Sequence, residues 1–142
     1  MLSMLGAVLQ HVVRIATFRH DGSGLPTARG GALYVLMALA AISRLGRDYV
    51  DPEGVDLVNS VAACVAYLGL MAVLIRPTPM AALLLTNLFG NAVAAALYLA
   101  GVSNAYATTA LIVWEISALM VVLYRLVNRT QAENKNRNTG NN

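Results

Sequence analysis

The residue best suited to carry out chemistry is Glu115. It lies within an otherwise apolar stretch, Leu111-Ile112-Val113-Trp114-Glu115-Ile116. A carboxylate at the middle of a bilayer costs roughly 2.5–3.5 kcal/mol even on lenient insertion scales. The sequence therefore predicts that Glu115 faces the protein interior and is often protonated there. In that position it could fix the packing of helices, carry protons, or bind a cation.

Two asparagines of the preceding apolar segment, Asn87 and Asn91, are expected to lie near Glu115. The turn between Gly101 and Ala105 is short, so the helices that it joins should be antiparallel neighbours. Asn91 and Glu115 are each about ten residues from this turn, or about 15 Å in depth. We therefore predict an intramembrane polar centre formed by Glu115, Asn91 and Asn87.

Two interpretations of this polar centre stay open. In the structural interpretation, an asparagine amide hydrogen-bonds a protonated Glu115 and fixes helix register at about 1 kcal/mol per contact. In the functional one, Glu115 is a proton or ion site, as intramembrane acids commonly are. The structural interpretation is favoured, because a transport path usually needs more than one ionisable group at depth.

Signatures of catalysis and of cofactor binding are missing from the sequence. His11 and His20 have no second ligand at metal-binding spacing, so His11 is expected to be a solvated ring. Cys64 lies among small apolar residues, which is typical of an inert thiol. We predict no catalytic residues, no metal, no cofactor and no enzymatic activity. The acids between the first two spans are interpreted as a solvated loop: Asp48, Asp51, Glu53 and Asp56.

The composition assigns the chain to the membrane. Of 142 residues, 58% are hydrophobic and only 12% are charged, with a mean hydropathy of +0.61. Average soluble domains have about 25% charged residues, and disordered chains have low hydrophobicity, so both classes are excluded. No basic run with interleaved aromatic residues suggests a nucleic-acid partner.

The elements that must position the polar centre follow from the apolar stretches and their breakers. We predict an all-α polytopic membrane protein with an antiparallel four-helix bundle. Asp51-Pro52 and Thr78-Pro79 are read as helix starts. The predicted segments are an amphipathic interfacial helix over 1–20, four spans over about 27–46, 52–75, 79–101 and 105–127, and a disordered polar cytoplasmic tail over 128–142.

The distribution of basic residues supports four spans. With four, eight of the ten Lys and Arg residues fall on one side, whereas omitting the short first span divides them evenly. The positive-inside rule then places both termini in the cytoplasm. The basic residues expected at this membrane interface include Arg14, Arg19, Arg29, Arg76, Arg125 and Arg129.

Small residues indicate where the helices should touch, because helices in lipid associate through close approach. The predicted packing faces are Gly90, Ala94 and Gly101 on the third span, and Ala62, Ala66 and Gly69 on the second.

Two parts of the chain carry a resemblance to a known family. Arg14-Ile15 and the segment Leu25-Pro26-Thr27-Ala28-Arg29, together with Asn87 and Trp114-Glu115 in the late helices, resemble short bacterial inner-membrane proteins grouped with the Yip family. The resemblance covers about the first and last thirds of the chain. It implies a multi-pass protein of the bacterial inner membrane with a non-enzymatic accessory role.

Two functions are therefore expected. The first is an accessory or assembly subunit of an envelope complex, which binds the bilayer and other membrane subunits or copies of itself through helix contacts. The alternative is a small homo-oligomeric channel or proton- or ion-coupled transporter centred on Glu115.

Overall fold

The computed structural model describes residues 2–139, and the surroundings of side chains over residues 6–132. The described chain is all-helical and contains no strand. Its five helices are α1 (Leu2–Ala16), α2 (Gly31–Tyr49), α3 (Leu57–Leu74), α4 (Pro77–Leu99) and α5 (Ala105–Thr139).

Three of the described helices are long and apolar enough to cross a membrane, which supports assignment of the chain to the membrane. They are α3, α4 and the part of α5 from Ala105 to Ala132. The 19-residue α2 is not among them, because its C-terminal half carries Arg44, Arg47 and Asp48.

Helix α4 forms the centre of the fold and contacts each of the other four helices. Met80, Ala81, Leu84 and Leu85 on its N-terminal half are each 1% exposed or less. These side chains are enclosed almost completely by the neighbouring helices. Helix α4 is therefore the element against which the others are positioned.

The N-terminal helix α1 packs on α4 and α5. Val12 and Ile15 are buried in the core, whereas Leu9 on the same helix is 64% exposed. The interfacial segment predicted over 1–20 therefore corresponds to a helix that ends at Ala16 and is attached to the bundle along one side.

The boundary between the first two spans differs from the prediction. Helix α2 continues to Tyr49, beyond the predicted end at about residue 46, and α3 begins only at Leu57 where 52 is predicted. The predicted cap at Asp51 is wrong, because its side chain accepts the Glu53 N–H within a loop turn. Asp56 is the actual N-cap of α3 and accepts the Val58 N–H at 2.9 Å.

Helix α4 lies about two residues earlier than the predicted span over 79–101, and α5 extends beyond the predicted end at 127. Helix α4 begins at Pro77, with Arg76 at the N-cap position. Helix α5 begins at Ala105, as predicted, and the Asn104 side chain accepts the Ala107 N–H. It continues to Thr139 where a disordered tail is predicted from residue 128, since neither Gly nor Pro occurs between Ala105 and Thr139. Residues 140–142 of that tail lie outside the described residues.

The predicted packing faces are only partly used. Gly90 and Ala94 are buried on α4, but Gly101 lies beyond its end with a φ of +78°, so it allows the chain to turn. The small residues predicted to pack on α3 point away from the bundle: Ala62, Ala66 and Gly69 are all exposed. Instead, α3 buries Ser60 and Met71.

Candidate functional site

The most deeply buried acid among the described side chains is Asp48, which is 3% exposed near the C-terminal end of α2. Arg44 Nε donates to its Oδ2 at 3.1 Å, and Arg47 donates to its Oδ1 through Nε at 3.0 Å and Nη2 at 2.6 Å. The Ser60 hydroxyl on α3 donates to Oδ2 at 2.8 Å. The interpretation of Asp48 as a solvated loop acid is therefore wrong.

The Arg47 guanidinium extends this network to the central helix. Its Nη1 donates to Asn91 Oδ1 at 3.3 Å, and Asn91 Nδ2 donates to Ser43 Oγ at the same distance. A helix with two arginines and an acid can lie against α4 because each of these groups has a partner: Arg44 pairs with Asp48, Arg47 also contacts α4, and Asp48 also contacts α3. The network therefore joins α2, α3 and α4 through polar contacts.

Glu115 projects from α5 towards the same region. Its carboxylate rests on the backbone of Gly90, where a Cβ atom would overlap it, and it lies within the electrostatic influence of Arg47. Because Gly90 has no side chain, α4 leaves space for the Glu115 carboxyl group at this point. The glycine at position 90 thus makes room for a carboxyl group. The small-residue pattern predicted instead that it allows two helices to approach closely.

The two predicted asparagines reach the site but are bonded differently from the prediction. Asn91 is engaged with Arg47 and Ser43, and Asn87 Nδ2 donates to the Tyr67 hydroxyl at 2.9 Å. The predicted hydrogen bond between an asparagine and Glu115 is not among the contacts of the described residues. The structural interpretation thus loses the contact on which it depends.

These groups surround a cavity of about 390 Å³ between α2, α3, α4 and α5. Its size is in the range of small-molecule sites. Its walls combine small apolar residues with two guanidinium groups, two amides, a phenol and a carboxyl group. The lining residues are Ala40, Ala41, Arg44, Arg47, Ala63, Cys64, Tyr67, Leu68, Asn87, Asn91 and Glu115.

Arg44, Arg47 and Asp48 belong to the site but were not predicted as members of it. The predicted first span ends at about residue 46, so Arg47 and Asp48 fell in the loop and Arg44 at the end of the span. A signal was present, because Arg44 and Asp48 are four residues apart and therefore share a helix face. Cys64, expected to be inert, lies on the cavity wall and is half-buried.

A second polar contact joins α1 to the loop that follows it. His11 Nδ1 and His20 Nε2 are 2.7 Å apart, and His20, which is 1% exposed, accepts the Gly22 N–H at Nδ1. His20 must therefore carry its proton on Nε2 and donate it to His11. Burial, followed by the charge of Arg14, lowers the pKa of His11 below its usual 6.5, and burial likewise lowers the pKa of His20. The prediction of a solvated His11 is wrong.

The predicted interface arginines lie on the surface near one end of the bundle, where α2 and α4 begin and α5 leaves the core. Arg14, Arg19, Arg29, Arg76, Arg125 and Arg129 are all exposed. Arg125 donates to the backbone carbonyls of Phe18 and His20, and Thr78 donates to that of Pro26, so the α1–α2 loop packs at this end. A depression of about 460 Å³ lies here too, but most of its lining is apolar or uncharged.

No three His, Cys, Asp or Glu side chains are grouped as metal ligands within the described part of the chain. Comparison of the sequence with protein-family models and characterised proteins, and of the fold with solved structures, finds no match.

Proposed function

We propose that the chain is a small multi-pass membrane protein, without enzymatic activity, that binds a small solute or ion in its intramembrane cavity and moves it in a proton-coupled manner. The cavity of about 390 Å³ with Glu115, Arg44 and Arg47 on its walls is the observation that carries this proposal. An apolar bundle gains nothing in stability from an unfilled space lined by charges.

The grouping of ionisable side chains removes the main objection to a transport role. From the sequence, Glu115 is alone at depth, and a path for protons or ions needs more than one group. In the fold, two arginines and Asp48 from α2 join it around one cavity and its wall. Functional groups in membranes are expected to face such an interior.

The proposal includes α2 as a fourth span. At about 1.5 Å per residue, 19 residues are about 29 Å long, close to the thickness of the hydrocarbon core. Its charges do not oppose insertion as they would on an isolated helix, because Asp48 is paired with both arginines and turned towards the bundle. The four spans would form an antiparallel bundle around α4.

With four spans, both termini and the exposed arginines belong on the cytoplasmic side of a bacterial inner membrane. The positive-inside rule supports this orientation, and the resemblance to the Yip family supports the bacterial inner membrane. The cavity would then open near the opposite face, since Arg44 and Arg47 belong to the C-terminal part of α2.

The proposal is tested by flux through purified protein in liposomes that contain a pH-sensitive dye. Gradients of an inorganic anion, an alkali cation and a neutral polyol are imposed in turn while the internal pH is recorded. We expect at least one gradient to drive proton movement in wild-type vesicles and not in vesicles with Glu115→Gln. Ser117→Ala, an exposed position on the same helix, is the matched control and should behave as wild type.

The proposal fails if wild-type vesicles, Glu115→Gln vesicles and protein-free liposomes respond alike to every gradient. Equal flux through wild type and Glu115→Gln, above that of empty liposomes, would retain a channel and remove the role of Glu115.

A second candidate function is that of an accessory or assembly subunit, which one specific observation favours. The small residues Ala62, Ala66 and Gly69 lie on the exposed side of α3, where another helix could approach closely. The partner would be a helix of another subunit or of a second copy of this chain.

Cross-linking tests whether two copies of the chain associate through α3. In a Cys64→Ser background, Ala66→Cys should form a disulfide dimer in the membrane if α3 pairs with itself, because bridged Cα atoms lie within about 7 Å. Val65→Cys, which is also exposed on α3 but lies about 100° around the helix from Ala66, is the control for random collision. Equal dimer yields from the two variants would remove α3 pairing.

A further inference from the structure

We infer that the solute taken by the cavity is a small oxyanion, of the carboxylate or phosphate class, and that its binding is coupled to protonation of Glu115. This inference rests on the proposed function and names the ligand chemistry of the same site. The evidence is the balance of charge and of hydrogen-bond donors around the cavity.

The charge balance depends on Asp48, which is fully occupied. Its two oxygens accept four hydrogen bonds, three from the two arginines and one from Ser60. A single carboxylate therefore faces two guanidinium groups, which leaves one positive charge in excess. Glu115 is the acid on the cavity wall that can offset this excess, and it does so only when ionised.

The hydrogen-bonding groups that face the cavity are mostly donors. Among the described side chains, Arg44 contacts Asp48 through Nε alone, its own side chain is 48% exposed, and its two terminal amino groups remain for a ligand. Tyr67 accepts from Asn87, so its own hydroxyl proton can be donated. Two donors of a guanidinium match the two oxygens of a carboxylate or phosphate, a fit that a cation cannot use.

Coupling follows because the ligand and the Glu115 carboxylate compete for the same positive charge. Two negative groups in one small cavity repel each other, so an oxyanion binds more tightly when Glu115 holds a proton. By linkage, the bound oxyanion equally favours protonation of Glu115, so that up to one proton is taken up with each anion. The ionisable groups facing Glu115 are Arg44, Arg47 and Asp48 from α2 and Cys64 and Tyr67 from α3, while α4 contributes the amides of Asn87 and Asn91.

The inference is tested with acetate, titrated calorimetrically into the full-length protein in nanodiscs at constant ionic strength maintained with chloride. Acetate stays ionised between about pH 6 and about pH 8. We expect wild type to bind acetate at least tenfold more tightly at about pH 6 than at about pH 8. Glu115→Gln, which mimics the protonated acid, should bind at pH 8 as tightly as wild type binds at pH 6, with no pH dependence. This gain in affinity separates the coupling from misfolding.

Arg44→Gln is the complementary variant and should weaken acetate binding at least tenfold at both pH values. Arg44→Lys, which keeps the charge but loses the planar pair of donors, should weaken it less. Glu115→Gln retains every other ionisable group. Any pH dependence of acetate binding that remains in this variant is therefore due to those groups.

The inference is overturned if Glu115→Gln binds acetate no better than wild type at about pH 8, or if acetate and inorganic phosphate do not bind at all. Binding of sodium or of an organic amine in place of acetate would also overturn it, while the proposed solute site would stand. Proton flux that is driven by a cation gradient in the liposome assay would likewise overturn the oxyanion inference and leave the proposed solute site standing.

Discussion

Asp48 illustrates how one residue stabilises a polar site inside an apolar bundle. It lies between two guanidinium groups and a hydroxyl, and it joins α2 to α3 through Ser60. The arginines are partly exposed, whereas Asp48 is almost fully enclosed. Removing the acid therefore leaves two like charges close together without the group that separates them.

Substitution of Asp48 by Ala should reduce the free energy of unfolding by about 3 kcal/mol, because breaking a buried pair leaves its partners uncompensated. Unfolding in mixed micelles with increasing SDS would measure this change. Glu53→Gln removes an exposed acid from the nearby loop and should change stability by less than about 0.5 kcal/mol. Similar losses in the two variants would show that Asp48 is not a structural centre.

Gly90 should be as important for function as Glu115, although it carries no side chain. A methyl group at position 90 would occupy the place of the Glu115 carboxyl group and displace it. We expect Gly90→Ala to lower proton-coupled flux by at least about tenfold, since small misplacements of a functional group are costly. The helix itself should tolerate alanine.

The matched control for this variant is Gly69→Ala on α3, where nothing lies within 4 Å of the added methyl group. It should preserve flux and stabilise its helix slightly. Normal flux in Gly90→Ala would show that the position of the Glu115 carboxyl group does not matter.

At the scale of elements, the sequence predicted most helices and their type but not their ends. Apolar length located α3, α4 and α5, and the Pro residues at 77 and 79 marked the start of α4 to within about two residues. The junction of α2 and α3 was misplaced because charges were assumed to end a span, whereas Arg47 and Asp48 remain helical by pairing with each other and with α3 and α4. Such pairing depends on distant elements, so local pattern alone does not reveal it.

The contact that attaches α1 to its loop should respond to pH. The pKa of both His11 and His20 lies below 6.5 in the folded chain, so the unfolded segment takes up protons first. The stabilisation is complete above about pH 6.5 and is lost as the pH falls below that value. We expect amide hydrogen exchange in α1 to accelerate on acidification, relative to α4, when measured by mass spectrometry.

His11→Gln provides the control for this prediction. It removes one of the two titrating rings, so the acceleration between about pH 7 and about pH 5 should become smaller. An unchanged acid response in this variant would assign the effect to groups other than the histidine pair.

At the scale of the whole molecule, the candidate site could be predicted in part. Glu115, Asn87 and Asn91 were identified because polar residues are conspicuous in apolar stretches, and all three line one cavity. The hydrogen-bond partners of the two asparagines were not predictable, since Tyr67, Ser43 and Arg47 come from other helices. The orientation of α3 was also missed, because small residues are equally compatible with a lipid-facing side.

The number of spans can be tested with single cysteines in a Cys64→Ser background. If α2 spans, Thr27→Cys and Glu53→Cys lie on opposite sides of the membrane, and if only α3, α4 and α5 span, they lie on the same side. Ser103→Cys shares the side of Glu53 in both cases and serves as the reference. We expect an impermeant maleimide added to right-side-out vesicles to label positions 53 and 103 but not 27.

The most direct test of the polar cavity uses the native Cys64, the one cysteine of the chain, which lies on its wall. The reaction rate of this thiol with hydrophilic thiosulfonate reagents is measured in membranes, with Cys64→Ser/Ala66→Cys as a control on the exposed side of α3. A water-filled, electropositive cavity predicts that Cys64 reacts with an anionic reagent about tenfold faster than with a cationic one. Ala66→Cys should react only with a lipophilic maleimide. Reaction of Cys64 with the lipophilic maleimide alone would contradict the presence of a polar cavity.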